Sequence, residues 1–346
     1  MILIFSLFYT SNLKEGVDLI IKQCPILLTP ICLIFSPKVI PNKKTLNKTW
    51  NYFVFINVIL CLFLISNFIY YYTSKVGFSA RFFREVLSKI EVLDLHPTYV
   101  SAYMGIAVLY LIDKLSNKID YIKLGAVILL VSVILVLTSR IGIIALLVAL
   151  VIYFVTSIKK RKNTIFLGGM LFAVIALVYS NDFIQKRFTR IYSSGLVMPD
   201  SHNLTSTNLR TGIFYCTLLI TKEDWLTGIG VGDLQFYLNE CYKENFDTTL
   251  FQRRQFNTHN HYLFLFASAG IFSVLAFLIF IVWNMRFLHR KKNFFLISIF
   301  VFLLVIFCTE SFLQRAYGIA TYNIFIITLL CAILENSQNK KEIIKV

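Results

Sequence analysis

Apolar stretches long enough to cross a lipid bilayer recur from end to end of this chain, and they leave room for one broad kind of fold. The runs cover 17–35, 50–72, 97–112, 121–138, 141–158, 163–179, 260–285, 293–309 and 317–334. A helix needs about 20 mostly apolar residues to span hydrocarbon, and a lipid-exposed backbone must satisfy its own hydrogen bonds. The residues are 57% hydrophobic and the mean hydropathy is +0.71, whereas soluble domains are about 45–50% apolar. The sequence therefore predicts an all-α polytopic membrane protein with about nine or ten transmembrane helices. Stretch 1–9 is apolar but too short to span alone, and reads as the remnant of a longer helix or as an interfacial segment. No basic leader or cleavage pattern marks a removable signal peptide.

The net charge of +16 invites a nucleic-acid reading, but the placement of the charges excludes it. Half of the 34 Lys and Arg fall in short clusters at 36–49, 113–120, 159–162, 286–292 and in the tail, which carry 4, 2, 4, 4 and 3 of them. Those clusters alternate with the spans as cytoplasmic loops do. Segment 181–258 carries eight basic and eight acidic residues, so it is neutral and can be translocated. The expected organisation is N-terminal transmembrane helices over 1–180, an extracytoplasmic loop with short helices over 181–258, C-terminal helices over 259–336, and a cytoplasmic tail over 337–346.

The seven cysteines show no metal-ligand spacing. Cys24, Cys32, Cys61, Cys308 and Cys331 read as small core residues. Cys216 and Cys241 lie in the polar segment and can pair if it is extracytoplasmic.

This topology gathers His96, Arg140, Arg210, His259, His261, Glu310 and Arg315 on one face of the membrane. Arg140, in TSRIG, sits where one run ends and the next begins. It reads either as an anion ligand or as a side chain snorkelling to headgroups. Arg210 falls in the first turn of a helix starting near Asn208, with Ser206, Thr207 or Asn208 as its cap. A cation there opposes the helix dipole and calls for an anion or carboxylate nearby. WLTGIGVGD, ending in Asp233, reads as a shaped glycine loop, because no βαβ pattern supports dinucleotide binding. Asp233 is a candidate to orient a cation or a sugar hydroxyl. Histidine suits proton transfer near neutral pH, so His259-Asn260-His261 is either a site or the cap of the helix starting at Asn260. Two histidines two residues apart diverge on a helix, which argues against metal.

In order along 90–318, HPTYVSAY, TSRIGIIAL, NLR, the W-x-x-G-x-G-x-G-D loop and His259-Asn260 followed by Gly270 resemble the bacterial O-antigen ligase and O-antigen polymerase superfamily. The resemblance implies a GT-C type membrane glycosyltransferase of the bacterial plasma membrane. Such an enzyme moves a glycan from undecaprenyl diphosphate to lipid A–core or to another repeat unit. It implies an inverting mechanism without cofactor or metal. His259 matches the family's catalytic histidine, and Arg140 and Arg210 match its diphosphate-binding arginines. Asn260, Asp233, Glu310, Arg315, His96 and Tyr99 are supporting candidates. Family members commonly have around a dozen spans, so one or two helices are expected to be missing at the amino end. Two rival readings are a transporter of lipid-linked sugars and a structural assembly subunit. The one-sided loop with histidine at its re-entry, and spans without mid-membrane charges, favour the enzyme.

Overall fold

The computed structural model of the chain describes residues 2–36, 41–72, 96–157, 164–180, 197–201 and 204–343, with Phe83, Gln185, Lys186 and Thr189 as isolated positions. Lys38, connection 73–95 apart from Phe83, the basic cluster 159–162 and Lys345 lie outside the described residues. All regular structure among the described residues is helical. The helices are α1 (Ile2–Phe5), α2 (Leu13–Phe35), α3 (Lys43–Tyr72), α4 (Pro97–Leu115), α5 (Tyr121–Leu137), α6 (Arg140–Ser157) and α7 (Thr164–Ser180). They continue with α8 (Ser206–Ile220), α9 (Leu234–Asn245), α10 (Thr249–Arg253), α11 (His261–Lys291), α12 (Phe294–Phe307) and α13 (Ala316–Ile343). Among the described residues, α2, α3, α6 and α11 are long and apolar enough to cross a membrane. α5, α12 and parts of α7 and α13 form shorter apolar helices of 10–17 residues.

The chain divides into two compact units. One comprises Pro30–Phe188, Lys291–Ile306 and Ile324–Val346, and α4 is its central helix. Val100, Ala102, Met104, Ala107, Val108 and Leu109 are fully buried. Lipid is as apolar as these side chains, so close packing rather than water exclusion holds such helices together. Small residues permit that approach: a Cβ on Gly105 would meet Phe302 Cζ at 2.5 Å, and one on Gly142 would meet Ser101 Cβ at 2.7 Å. α4 and α6 run parallel, because Gly142 packs on Ser101 near their starts and the Tyr153 hydroxyl donates to Asp113 Oδ1 (3.0 Å) near their ends. α3 runs antiparallel to α4, with Cys61 beside Met104 and the Tyr110 hydroxyl donating to Asn51 Oδ1 at 3.1 Å. The turn between α5 and α6 has the two-residue length that the sequence suggests, but lies one residue earlier, at Thr138-Ser139. Thr138 takes a left-handed φ of 49° and Arg140 is already helical.

The other unit comprises Met1–Thr29, Thr189–Arg290 and Phe307–Asn323. Its core stacks Tyr242 on Phe251 (4.6 Å between ring centroids) and Phe246 on Phe251 (5.3 Å). Cys216 on α8 and Cys241 on α9 form a disulfide that ties the two helices together. The other five cysteines do not behave alike: Cys61 and Cys331 are buried, whereas Cys24 is half-buried and Cys32 and Cys308 are exposed. Segment 2–9 forms α1 and the 3-10 turn Ser6–Phe8 and packs on the glycine loop. The Tyr9 hydroxyl donates to the Thr227 carbonyl. Burial, with the Asp224 charge adding to it, pushes that hydroxyl above its ordinary pKa and keeps it a donor.

The span expected to run unbroken over 260–285 is interrupted. Within α11, Gly270 takes φ 69° and Ala269 leaves helical geometry. The break frees backbone groups inside an apolar span, and these need partners. The glycine loop provides them: Ile229 N–H donates to the Ala267 carbonyl (2.9 Å), and Ile271 N–H donates to the Trp225 carbonyl (3.0 Å). The glycines of WLTGIGVGD therefore shape a plug for a kink.

Candidate active site

His259 stands at the tip of a tight turn between α10 and α11, with a left-handed φ of 43°. That conformation is unfavourable for a side chain with a Cβ, and it persists where neighbours over-determine it. The neighbours are identifiable. Its N–H donates to Asn257 Oδ1 (3.1 Å), and Asn257 Nδ2 donates to Gln314 Oε1 (3.1 Å). The Thr258 and Ser311 hydroxyls are paired at 3.0 Å, both buried. Asn260 Oδ1 then accepts from Tyr262 N–H (2.9 Å) and Leu263 N–H (3.1 Å) and so caps α11. The helix cap is thus Asn260 rather than a histidine. Its side chain is spent on that cap, and His259 is left with a half-buried imidazole.

The segment that pins this turn also carries Glu310, which is buried with 7% of its side chain exposed. One carboxylate oxygen accepts from Arg210 Nη2 at 3.0 Å. The other lies 3.6 Å from His259 Nδ1, which is too long for a hydrogen bond but close enough for strong electrostatic interaction. Arg210 is the fifth residue of α8, just past its first turn; the helix is capped by Thr205, whose hydroxyl accepts from Asn208 N–H at 3.2 Å. The cap lies one residue before the stretch Ser206–Asn208 anticipated from sequence. Glu310 is the carboxylate that the arginine's position near the helix's positive pole requires. A buried carboxylate is costly unless paired and hydrogen-bonded, and here a guanidinium supplies the pairing. Glu310 thereby holds a cation and an imidazole on either side of one buried charge.

Asp233 is engaged elsewhere. Its two oxygens accept from Ser11 N–H (2.6 Å) and Asn12 N–H (2.8 Å) just ahead of α2, so its observed partners are backbone amides. Arg315 is exposed, one residue beyond Gln314. His261 is buried between the rings of Phe264, Phe277 and Phe307, at centroid distances of 5.9, 5.5 and 5.2 Å. In the other unit, Arg140 opens α6 and is half-buried, while His96 caps α4 by accepting from Thr98 N–H at 3.3 Å. The parallel packing of α4 and α6 puts Arg140, His96 and the buried Tyr99 at the same end of that helix pair. Asn257, Thr258, Ser311 and Gln314 carry no signal in the sequence, because their pairings join residues 53 and 57 positions apart.

The stretch 125–278 matches the family model described as O-antigen ligase. The match covers just under half of the chain. It contains Arg140, Arg210 and His259 and stops short of Glu310. No curated protein matches the chain. Ordered motifs, an all-helical membrane architecture and the matched domain agree, and together they support a likeness to the O-antigen ligase/polymerase superfamily.

Proposed function

We propose that this protein is a glycosyltransferase. It moves a glycan from an undecaprenyl-diphosphate donor to a sugar hydroxyl of lipid A–core or of another repeat unit, on the outer face of the bacterial plasma membrane. The observation that carries the reading is the cluster Arg210–Glu310–His259, a guanidinium and an imidazole held by one buried carboxylate.

The chemistry follows from the parts. Diphosphate is already a good leaving group, so the main demands are a base for the attacking hydroxyl and cations for the departing charge. His259 Nδ1 faces Glu310, which favours the tautomer with the proton on Nδ1 and leaves Nε2 as the acceptor. Nε2 takes the hydroxyl proton as the oxygen attacks the anomeric carbon. The bond from that carbon to the diphosphate oxygen breaks with inversion, and undecaprenyl diphosphate leaves. Glu310 stabilises the imidazolium formed. Arg210 keeps one guanidinium edge on Glu310 and presents the rest to phosphate oxygens. Arg140 is assigned the second diphosphate contact by resemblance. No step in this scheme calls on a metal or cofactor.

The test is purified full-length protein with a lipid-linked donor and an acceptor glycan. Release of undecaprenyl diphosphate with a longer or transferred glycan supports the reading. Movement of intact donor across a vesicle membrane without release identifies a transporter instead. In cells, normal surface glycan in a His259→Ala strain that still contains the protein rules out the base assignment.

A further inference from the structure

The break at Gly270 folds α11 back on itself. His261 and Tyr262 on its first arm pack on Phe277 of its second, with ring centroids 5.5 and 5.7 Å apart. The Ser273 hydroxyl donates to the Leu265 carbonyl at 2.8 Å. On a straight helix His261 and Phe277 would lie about 24 Å apart, at about 1.5 Å per residue. Gly270 is therefore a crest between two arms, and the WLTGIGVGD loop sits on it.

Exposure changes at the crest. From His261 to Gly270 most residues are buried, whereas beyond it Phe272, Leu275, Leu278, Ile279, Val282 and Trp283 are exposed. That apolar face runs down to Arg286 and Arg290, both exposed, and reads as the lipid-facing side of the span. From Ile271 to Arg290 the second arm rises about 29 Å at about 1.5 Å per residue, close to the roughly 30 Å of a hydrocarbon core. With the two arginines at one boundary of the bilayer, the crest lies at the other.

Two segments far apart in sequence meet at this level. Trp225 is 50% exposed and Leu226 is exposed beside it; the Trp225 carbonyl is held to the crest by the Ile271 N–H at 3.0 Å. The exposed Tyr9 donates its hydroxyl to the Thr227 carbonyl, and Phe8 next to it is 85% exposed. Large apolar side chains left open around one point mark a surface that water does not cover. Trp and Tyr settle at the membrane–water boundary, with the ring against lipid and the N–H or O–H on polar partners. Charges limit the depth. Lys222, Glu223 and Asp224, immediately before Trp225, are all exposed, and the cost of stripping their water keeps the tip out of the hydrocarbon.

We propose that Trp225 and Leu226, flanked by Phe8 and Tyr9, form an interfacial patch that docks in the phospholipid headgroup layer of the leaflet remote from Arg286 and Arg290. The occupant is the bilayer itself, because the patch adjoins, through Ile271, the lipid-facing side of α11. Docking anchors the glycine loop in the membrane and holds it over the Gly270 crest. The patch is separate from the transfer reaction and does not depend on it.

The experiment uses the full-length protein in lipid nanodiscs, whose two faces are both open to an aqueous quencher. Trp225 is one of three tryptophans, so Trp50→Phe with Trp283→Phe leaves it as the sole indole. Phosphatidylcholine brominated either near the headgroup or at the chain ends quenches indoles at the matching depth, and iodide quenches those in water. Trp225 emission should be lost mainly to the bromines nearest the headgroup. Loss to iodide without loss to either brominated lipid puts the tip in water and overturns the proposal. Loss mainly to the chain-end bromines, which places the tip inside the hydrocarbon, overturns it as well. So does resistance to every quencher, which means that protein, such as a second copy of this chain, covers the patch. Should the double variant not fold, subtracting the signal of Trp225→Phe from that of the parent isolates the same emission.

Discussion

Arg210 donates to Glu310 at 3.0 Å across 100 residues of sequence, and the far oxygen of the same carboxylate faces His259. Each of the three residues is explicable only by the others. The arginine has its counter-charge, the buried carboxylate has its donor, and the imidazole has an anion on one nitrogen.

Glu310→Gln keeps the shape of this arrangement and removes its charge. A hydrogen bond to a charged group contributes about 1.5–3 kcal/mol, so the rate of undecaprenyl diphosphate release should fall about 10–100-fold. Initial rates at saturating donor measure this. An unchanged rate would show that the carboxylate is structural only.

His259→Gly separates catalysis from folding. Loss of a general base removes about 10²–10⁴ of the rate. Glycine meanwhile relieves a left-handed φ that costs about 1–3 kcal/mol in other residues. The expected result is an inactive protein that unfolds at the same temperature as the parent or higher. A less stable His259→Gly protein would mean that the imidazole is chiefly a packing group.

Gly270→Ala should be among the most damaging substitutions of one small residue. A Cβ there would run into the Leu226 carbonyl, and φ is 69°. Losses exceeding about 1 kcal/mol are expected where alanine replaces a positive-φ glycine. Size-exclusion profiles in detergent should show aggregated or poorly recovered protein, while Gly169→Ala, with open space around it, should behave as the parent.

The Cys216–Cys241 disulfide closes a loop of 25 residues, and a crosslink of that span stabilises by about 3 kcal/mol. Reduction, or Cys216→Ser with Cys241→Ser, should lower the unfolding temperature of the purified protein. Thiol labelling of freshly lysed cells checks the compartment. Blocked thiols at both positions fit an extracytoplasmic loop, and free thiols at both would contradict it.

The sequence by itself determined the helical membrane class, because long apolar runs have no other stable arrangement in lipid. It singled out Arg210 as needing a negative partner, since a cation in a helix's first turn opposes the dipole. It marked His259 by its place at the re-entry of a polar loop. It also exposed the glycine loop as a shaped element, although not what the shape was for. Tertiary structure alone decided the rest. That Glu310 is the shared partner, that Asp233 is taken up by backbone amides, and that the loop plugs a kink at Gly270 all rest on long-range contacts. Such contacts leave no local periodicity or spacing to read. A sequence records what each residue requires, such as a counter-charge, a cap or a permitted φ; only the packed chain specifies which distant residue meets the requirement.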